Sequence, residues 1–153
     1  MAKITPYVAE RHPELFDAPS TSVRTAIPER TFWEKATILH QEANRPEAKT
    51  MPRRYSRHYY DMYRLGHSEI ADRAIAHPEL LAKVVAFKEK FYRTPWSKLA
   101  DARPGTLKLV PLGYRVPGLQ LDYESMRSML FGKVSPFEDV LAFIGQLEET
   151  ING

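Results

Sequence analysis

Pro28-Glu29-Arg30-Thr31-Phe32-Trp33-Glu34-Lys35-Ala36-Thr37-Ile38-Leu39-His40-Gln41-Glu42-Ala43 is the stretch that decides the fold class. Proline suits the first helical turn, where its missing N–H would have no partner anyway. At about 100° per residue, Phe32, Ala36, Leu39 and Ala43 fall on one face. Lys35 lies at the edge of that face, one turn before Leu39. One apolar stripe over a stretch this long predicts an amphipathic helix.

The same period recurs downstream. Residues 44–52 read as a loop. A second helix is expected over 53–65, with Tyr55, Tyr59, Met62 and Tyr63 apolar and Arg53, Arg57, Asp61 and Arg64 together on the other side. A short helix over 69–76 follows Ser68, a good N-cap. Another runs from Pro78 to about Arg93, with Leu81, Val84, Val85, Lys88 and Phe91 at helical spacing. Trp96–Ala102 adds a turn or two, and Pro104–Pro111 is extended or loop. A helix over Leu119–Phe131 carries Tyr123, Met126 and Leu130. Ser135-Pro136-Phe137-Glu138 has the pattern of a capping box with Pro at the first helical position. The last helix then buries Phe137, Val140, Leu141, Ile144, Leu147 and Ile151.

Upstream, residues 1–27 show little helical period. Ser22–Ile27 alternates and is β-branched, so it predicts a short strand, and no partner for it is legible before it. A lone strand does not hold itself together, and its open edge invites association, so disorder or a dimer through this strand is expected. The reading is a mostly α, bundle-like domain with one or two short β segments: an N-terminal arm over 1–27 and a helical domain over 28–153.

The chain has 153 residues, 43% apolar and 27% charged, enough for one ordinary domain with a core. It has no cysteine, which excludes disulfides, thiolate zinc sites and a cysteine nucleophile. Met1–Pro6 lacks the apolar run of a signal peptide, and Val84–Phe87 is far too short to span a bilayer. A cytoplasmic location and no membrane partner are expected. The net charge of +3 is unevenly spread. Arg53, Arg54, Arg57 and Arg64 face one acid, Asp61, whereas 135–153 holds Glu138, Asp139, Glu148 and Glu149 and no Lys or Arg.

Much chemistry is missing. Gly132-Lys133 has no earlier glycine, and Val134 stands where a phosphate-binding loop needs Ser or Thr. No Asp-x-Asp pair serves a two-metal site. Asp122-Tyr123-Glu124 comes nearest and reads as exposed helix carboxylates. His12, His40, His58, His67 and His77 lack zinc-ligand spacing, and His40 reads as a core-edge histidine. No metal ligand is assigned.

Two places remain. Residues 53–64 offer a row of guanidinium groups, which bind phosphate bidentately, beside Asp61, with Tyr60 at the rim to stack on a base. The plainer reading is a solvated basic face with an Arg57–Asp61 pair. Lys35 can reach a phosphate as a point charge or simply snorkel. Arg53 and His58 also fit the Arg-x4-His spacing of HEPN-type ribonucleases.

Pro28–His40 resembles a characteristic helix of the AbiEii abortive-infection toxin family, the nucleotidyltransferase-like toxins of type IV toxin–antitoxin systems. Arg57-His58-Tyr59-Tyr60-Asp61-Met62-Tyr63 resembles the family's next helix. The likeness continues through Val85–Lys88, Pro104–Leu107, Asp122–Met126 and Met129–Gly132. It implies a nucleotidyltransferase core with a Gly-Ser and Asp-x-Asp metal site, and a C-terminal helical part that supplies a lysine and an aspartate. By the motif match these are Lys35 and Asp61, with Arg53, Arg57, His58, Tyr60 and Arg64 as nucleotide- or RNA-binding candidates. It implies nucleoside monophosphate transfer from a nucleoside triphosphate to RNA, tRNA included, with Mg2+, and a cognate antitoxin. The Gly-Ser and Asp-x-Asp motifs are absent here, so the chain is expected to be the helical portion of such a toxin. It should be inactive alone, and should hold neither Mg2+ nor triphosphate without a core supplied in another segment. A helical RNA- or partner-binding module without catalysis is the alternative.

Overall fold

Pro28 opens the central helix, as its sequence predicts. In the computed structural model, which describes residues 1–130 and 132–153, helix α2 spans Pro28–Ala43. Phe32, Trp33, Ala36, Leu39 and Ala43 are buried along it. The helix ends at Asn44, whose side-chain amide donates to the His40 carbonyl at 2.8 Å. Around α2 pack α3 (Arg57–Gly66), α4 (Glu69–Ile75) and α5 (Pro78–Phe91). Helix α7 (Phe137–Asn152) closes the other side of α3. It buries Phe137, Val140, Ile144, Leu147 and Ile151, while Leu141 is half-buried. Helix α6 (Val116–Met126) brings Leu119, Tyr123 and Met126 into the core. The domain is mostly α with one small antiparallel sheet.

Leu107 and Leu109 are buried on an extended segment that joins no sheet. Buried backbone groups must find partners, and here side chains supply them. Asn152 accepts from the Leu107 N–H at 3.1 Å and donates to the Leu107 carbonyl at 2.9 Å. Glu148 accepts from the N–H groups of Leu109 and Val110. The Lys108 N–H donates to His40 Nδ1 at 3.1 Å, leaving His40 Nε2–H to donate to the Lys98 carbonyl at 3.0 Å. His40 is thus a buried strut between two loops.

Several expectations are corrected. The strand near Ser22 is Thr21–Val23 (β2), and it is not alone. It pairs with Ala2–Ile4 (β1) in the register Ala2↔Val23, Lys3↔Ser22, Ile4↔Thr21. Three residues are too few to show alternation, and the partner strand lies within the chain, while each strand of the pair keeps one open edge. A short helix, α1, occupies Tyr7–Arg11 between them.

The second helix does not begin at Arg53. Residues 53–56 form a turn in which Arg54 has φ +61°, a left-handed conformation that ends any helix reading. Asp122 holds that turn. Its carboxylate accepts from the Arg54 N–H at 2.7 Å, the Ser56 N–H at 2.9 Å and the Ser56 hydroxyl at 2.6 Å. Burial alone would raise its pKa, but these bonds prevail and hold it below the usual carboxylate value. Asp122 is therefore a structural clamp and not a free surface carboxylate.

The capping box at Ser135 does not form. Pro136 is the N-cap and no side chain caps the helix. Ser135 is engaged elsewhere: its hydroxyl lies 3.1 Å from the Tyr63 hydroxyl, and its carbonyl accepts from Tyr123 Oη at 2.9 Å. The helix expected over Leu119–Phe131 starts earlier, at Val116. It tightens into a 3-10 turn over Arg127–Met129, and Phe131 lies outside the described residues. Phe91, at helical spacing with the buried Leu81 and Val84, is 59% exposed.

Candidate functional site

Lys35 and Asp61 meet. The Lys35 ammonium donates to Asp61 Oδ2 at 2.6 Å, across the α2–α3 seam. Lys35 sits at the border of the buried face of α2, so its stem is packed while its head reaches outward. His58 lies one turn before Asp61 on α3, with Nδ1 3.4 Å from the same ammonium. An ammonium only donates, so Nδ1 is the acceptor. Two of the three Lys35 N–H groups are thus directed at Asp61 and His58, and one remains for a further acceptor.

The imidazole of His58 is buried against Tyr55 at 4.8 Å between ring centroids. Burial, followed by the nearby positive charges of Lys35 and Arg57, pulls its pKa down to about 4. It is neutral near pH 7, as an acceptor for Lys35 requires. This has a measurable consequence. Below the ordinary histidine value of 6.5 the unfolded chain gains a proton that folded His58 refuses until about pH 4. Stability is therefore present above pH 6.5 and lost progressively as pH falls across that window. The contribution is at most about 3 kcal/mol. Urea unfolding between pH 4 and 7 is expected to show a shallower pH slope for His58→Asn than for the wild type. The lowered His40, pushed the same way by burial, contributes equally to both. An unchanged slope would contradict the placement of His58.

Beside Asp61 a groove of about 440 Å³ runs between α3 and the end of α6. Arg57, Tyr60, Asp61 and Arg64 form its polar wall, and Met126, Met129 and Leu130 its apolar wall. Arg57, Asp61 and Arg64 recur at helical spacing, so one face of α3 carries all three. Arg64 Nη1 donates to the Tyr60 hydroxyl at 3.0 Å. Among the described residues no carboxylate lies within ion-pair distance of Arg57, so the Arg57–Asp61 pair of the plainer reading is replaced by Lys35–Asp61.

Three candidates sit differently from their expected positions. Arg53 is exposed on the preceding turn and does not line the groove. Tyr60 lines it but is only 7% exposed, so it has little ring surface to offer a stacking base. His58, buried, faces Lys35 rather than solvent.

Lys88 was legible only as a core position of its helix. Its ammonium donates to the Glu34 carbonyl at 3.2 Å, next to Lys35, and burial lowers its pKa to about 8. A lysine inside an apolar stripe was the one signal available for it. Among the described residues no three His, Asp or Glu side chains converge to hold a metal ion. The donor set present therefore does not fit a catalytic Mg2+, whereas the cations around Asp61 suit phosphate oxygens. No helix among the described residues is long and apolar enough to cross a membrane.

A family profile described as "Nucleotidyl transferase AbiEii toxin, Type IV TA system" matches residues 1–143. No curated protein and no solved structure matches the chain.

Proposed function

Since the chain belongs to the AbiEii nucleotidyl transferase toxins of type IV toxin–antitoxin systems, we propose that Lys35 and Asp61 form the nucleotide-facing wall of a nucleotidyltransferase site. The observation that carries this is the 2.6 Å contact between them, with Asp61 also lining the groove beside Arg57 and Arg64. Lys35 offers its remaining N–H to a phosphate oxygen, while Asp61 and neutral His58 fix where the ammonium points. Arg57 and Arg64 neutralise the rest of a triphosphate or the acceptor strand's backbone. Preorganised charge of this kind is what phosphoryl transfer asks of a protein.

The acceptor in this reading is RNA, and the family implies an antitoxin that binds the toxin. The carboxylates for Mg2+ would come from a nucleotidyltransferase core on another segment, with the arm of residues 1–27 as a remnant of such a core and 28–153 as the helical domain. Incubation of the chain alone with labelled triphosphates, Mg2+ and total RNA is expected to leave the RNA unlabelled. Clear label would overturn the division of the site between two segments. A purely binding module shares the basic groove but assigns no role to the Lys35–Asp61 contact. The HEPN-like alternative asks for a free Arg-x4-His pair, and the burial of His58 speaks against it.

A further inference from the structure

The α5 surface carries an aromatic cluster that the groove does not use. Phe87, Phe91 and Tyr92 are 43%, 59% and 64% exposed. Their rings touch one another: Phe87–Phe91 centroids lie 4.8 Å apart and Phe87–Tyr92 centroids 6.0 Å apart. Three exposed rings in contact form a patch of the kind that marks a binding surface. Cations are interleaved with them. Lys90 lies over Phe91 at 5.3 Å and Arg30 over Phe87 at 5.7 Å. Residues 83–98 hold Lys83, Lys88, Lys90, Arg93 and Lys98 against one acid, Glu89.

This composition discriminates between partners. The centre of a protein–protein interface is depleted in lysine. Stacking rings flanked by cations are what a single-stranded nucleic acid requires: faces for its bases and charges for its phosphates. The patch also leads toward the candidate site. Under Phe87 and Tyr92 opens a cavity of about 240 Å³, which Lys88 and Glu34 help to line. Lys88 is bonded to the Glu34 carbonyl, and Lys35 is the next residue. The Glu34 carboxylate is itself paired with Arg30 at 3.0 Å.

We propose that the Phe87–Phe91–Tyr92 ledge binds single-stranded RNA, with Lys90 and Lys88 contacting its phosphates, and so leads an RNA end toward Lys35. The ledge rests on the reading of Lys35 and Asp61 as a nucleotide site, but its test is separate. Fluorescence anisotropy with a labelled single strand of about ten nucleotides measures it on the whole chain. Phe91→Ala and Tyr92→Ala remove exposed rings, so the melting temperature should hold. Each is expected to weaken RNA binding about tenfold, the equivalent of one lost stack. Lys90→Ala should lower the salt slope by about one unit. Nucleoside triphosphate binding, measured with a nucleotidyltransferase core supplied, should be unchanged in all three.

Wild-type affinity in the ring variants, with triphosphate binding intact, would overturn the ledge and leave the nucleotide site standing. A wild-type chain that binds polyglutamate as tightly as RNA would overturn it in favour of an acidic protein partner. With a nucleotidyltransferase core supplied, failure of the wild type to bind triphosphate would instead overturn the reading of Lys35, whatever the ring variants do.

Discussion

Lys35→Ala is expected to lower nucleotide transfer by at least about a hundredfold, the scale of losing one preorganised charge contact at a reacting centre. In the proposed reading the assay needs a transfer-competent assembly, in which a nucleotidyltransferase core supplies the metal-binding carboxylates. Asp61→Ala should act similarly, because Lys35 then loses the partner that aims it. Neither variant should much disturb the fold. The Lys35 and Asp61 side chains are 22% and 40% exposed, and a pair that open to water contributes at most about 1 kcal/mol. In a domain of this size that moves the melting temperature by roughly 2–4 °C. Lys35→Arg is a useful intermediate. It keeps the charge but replaces a compact ammonium by a planar fork, so activity should fall without vanishing. Full activity in both alanine variants, or unfolding of both, would show that the pair is only a structural contact.

The largest loss of stability is expected for Trp33→Ala. Trp33 is 1% exposed, stands edge-on to Phe32 at 5.0 Å, and donates from Nε1 to the Ala74 carbonyl at 3.2 Å. It therefore fastens α2 to the end of α4. Truncation leaves a cavity at the centre of the core and should cost about 3–5 kcal/mol. That is a large part of the 5–15 kcal/mol typical of a whole domain. Trp33→Phe keeps most of the volume and loses the hydrogen bond. The Ala74 carbonyl still accepts from the His77 N–H at 2.9 Å, so about 1–2 kcal/mol is expected. Urea denaturation gives both values. A Trp33→Ala variant within 1 kcal/mol of wild type would mean that α2 is not the hub of the core.

What the sequence made legible was local. The Pro28–Ala43 helix, the Ser68 cap of α4 and the apolar stripe of α7 follow from spacing and end signals a few residues apart. The Ser68 hydroxyl does accept from the Ile70 N–H, at 3.4 Å. Lys35 and Asp61, on the consecutive helices α2 and α3, were singled out by the family resemblance and not by spacing. The features that escaped depend on distant residues. Arg54 is turned out of the helix by Asp122, 68 positions away, and no window of helical periodicity contains both. Ser135 does not cap α7 because its hydroxyl is engaged with the Tyr63 hydroxyl, 72 positions away. Phe91 has helical spacing with Leu81 and Val84 but meets no opposing element, so it stays in solvent. The β1–β2 ribbon joins two three-residue strands whose ends lie 17 to 21 positions apart, too short and too separated for alternation to reveal.

Nuclear magnetic resonance of the isotope-labelled chain, titrated with a nucleoside triphosphate once a nucleotidyltransferase core is supplied, tests the central claim most directly. Amide shifts are expected to cluster around Lys35 on α2 and from Arg57 to Arg64 on α3, and to disappear in Lys35→Ala. Shifts that fall elsewhere, or that persist unchanged in Lys35→Ala, would contradict the assignment of this groove as the nucleotide-facing wall.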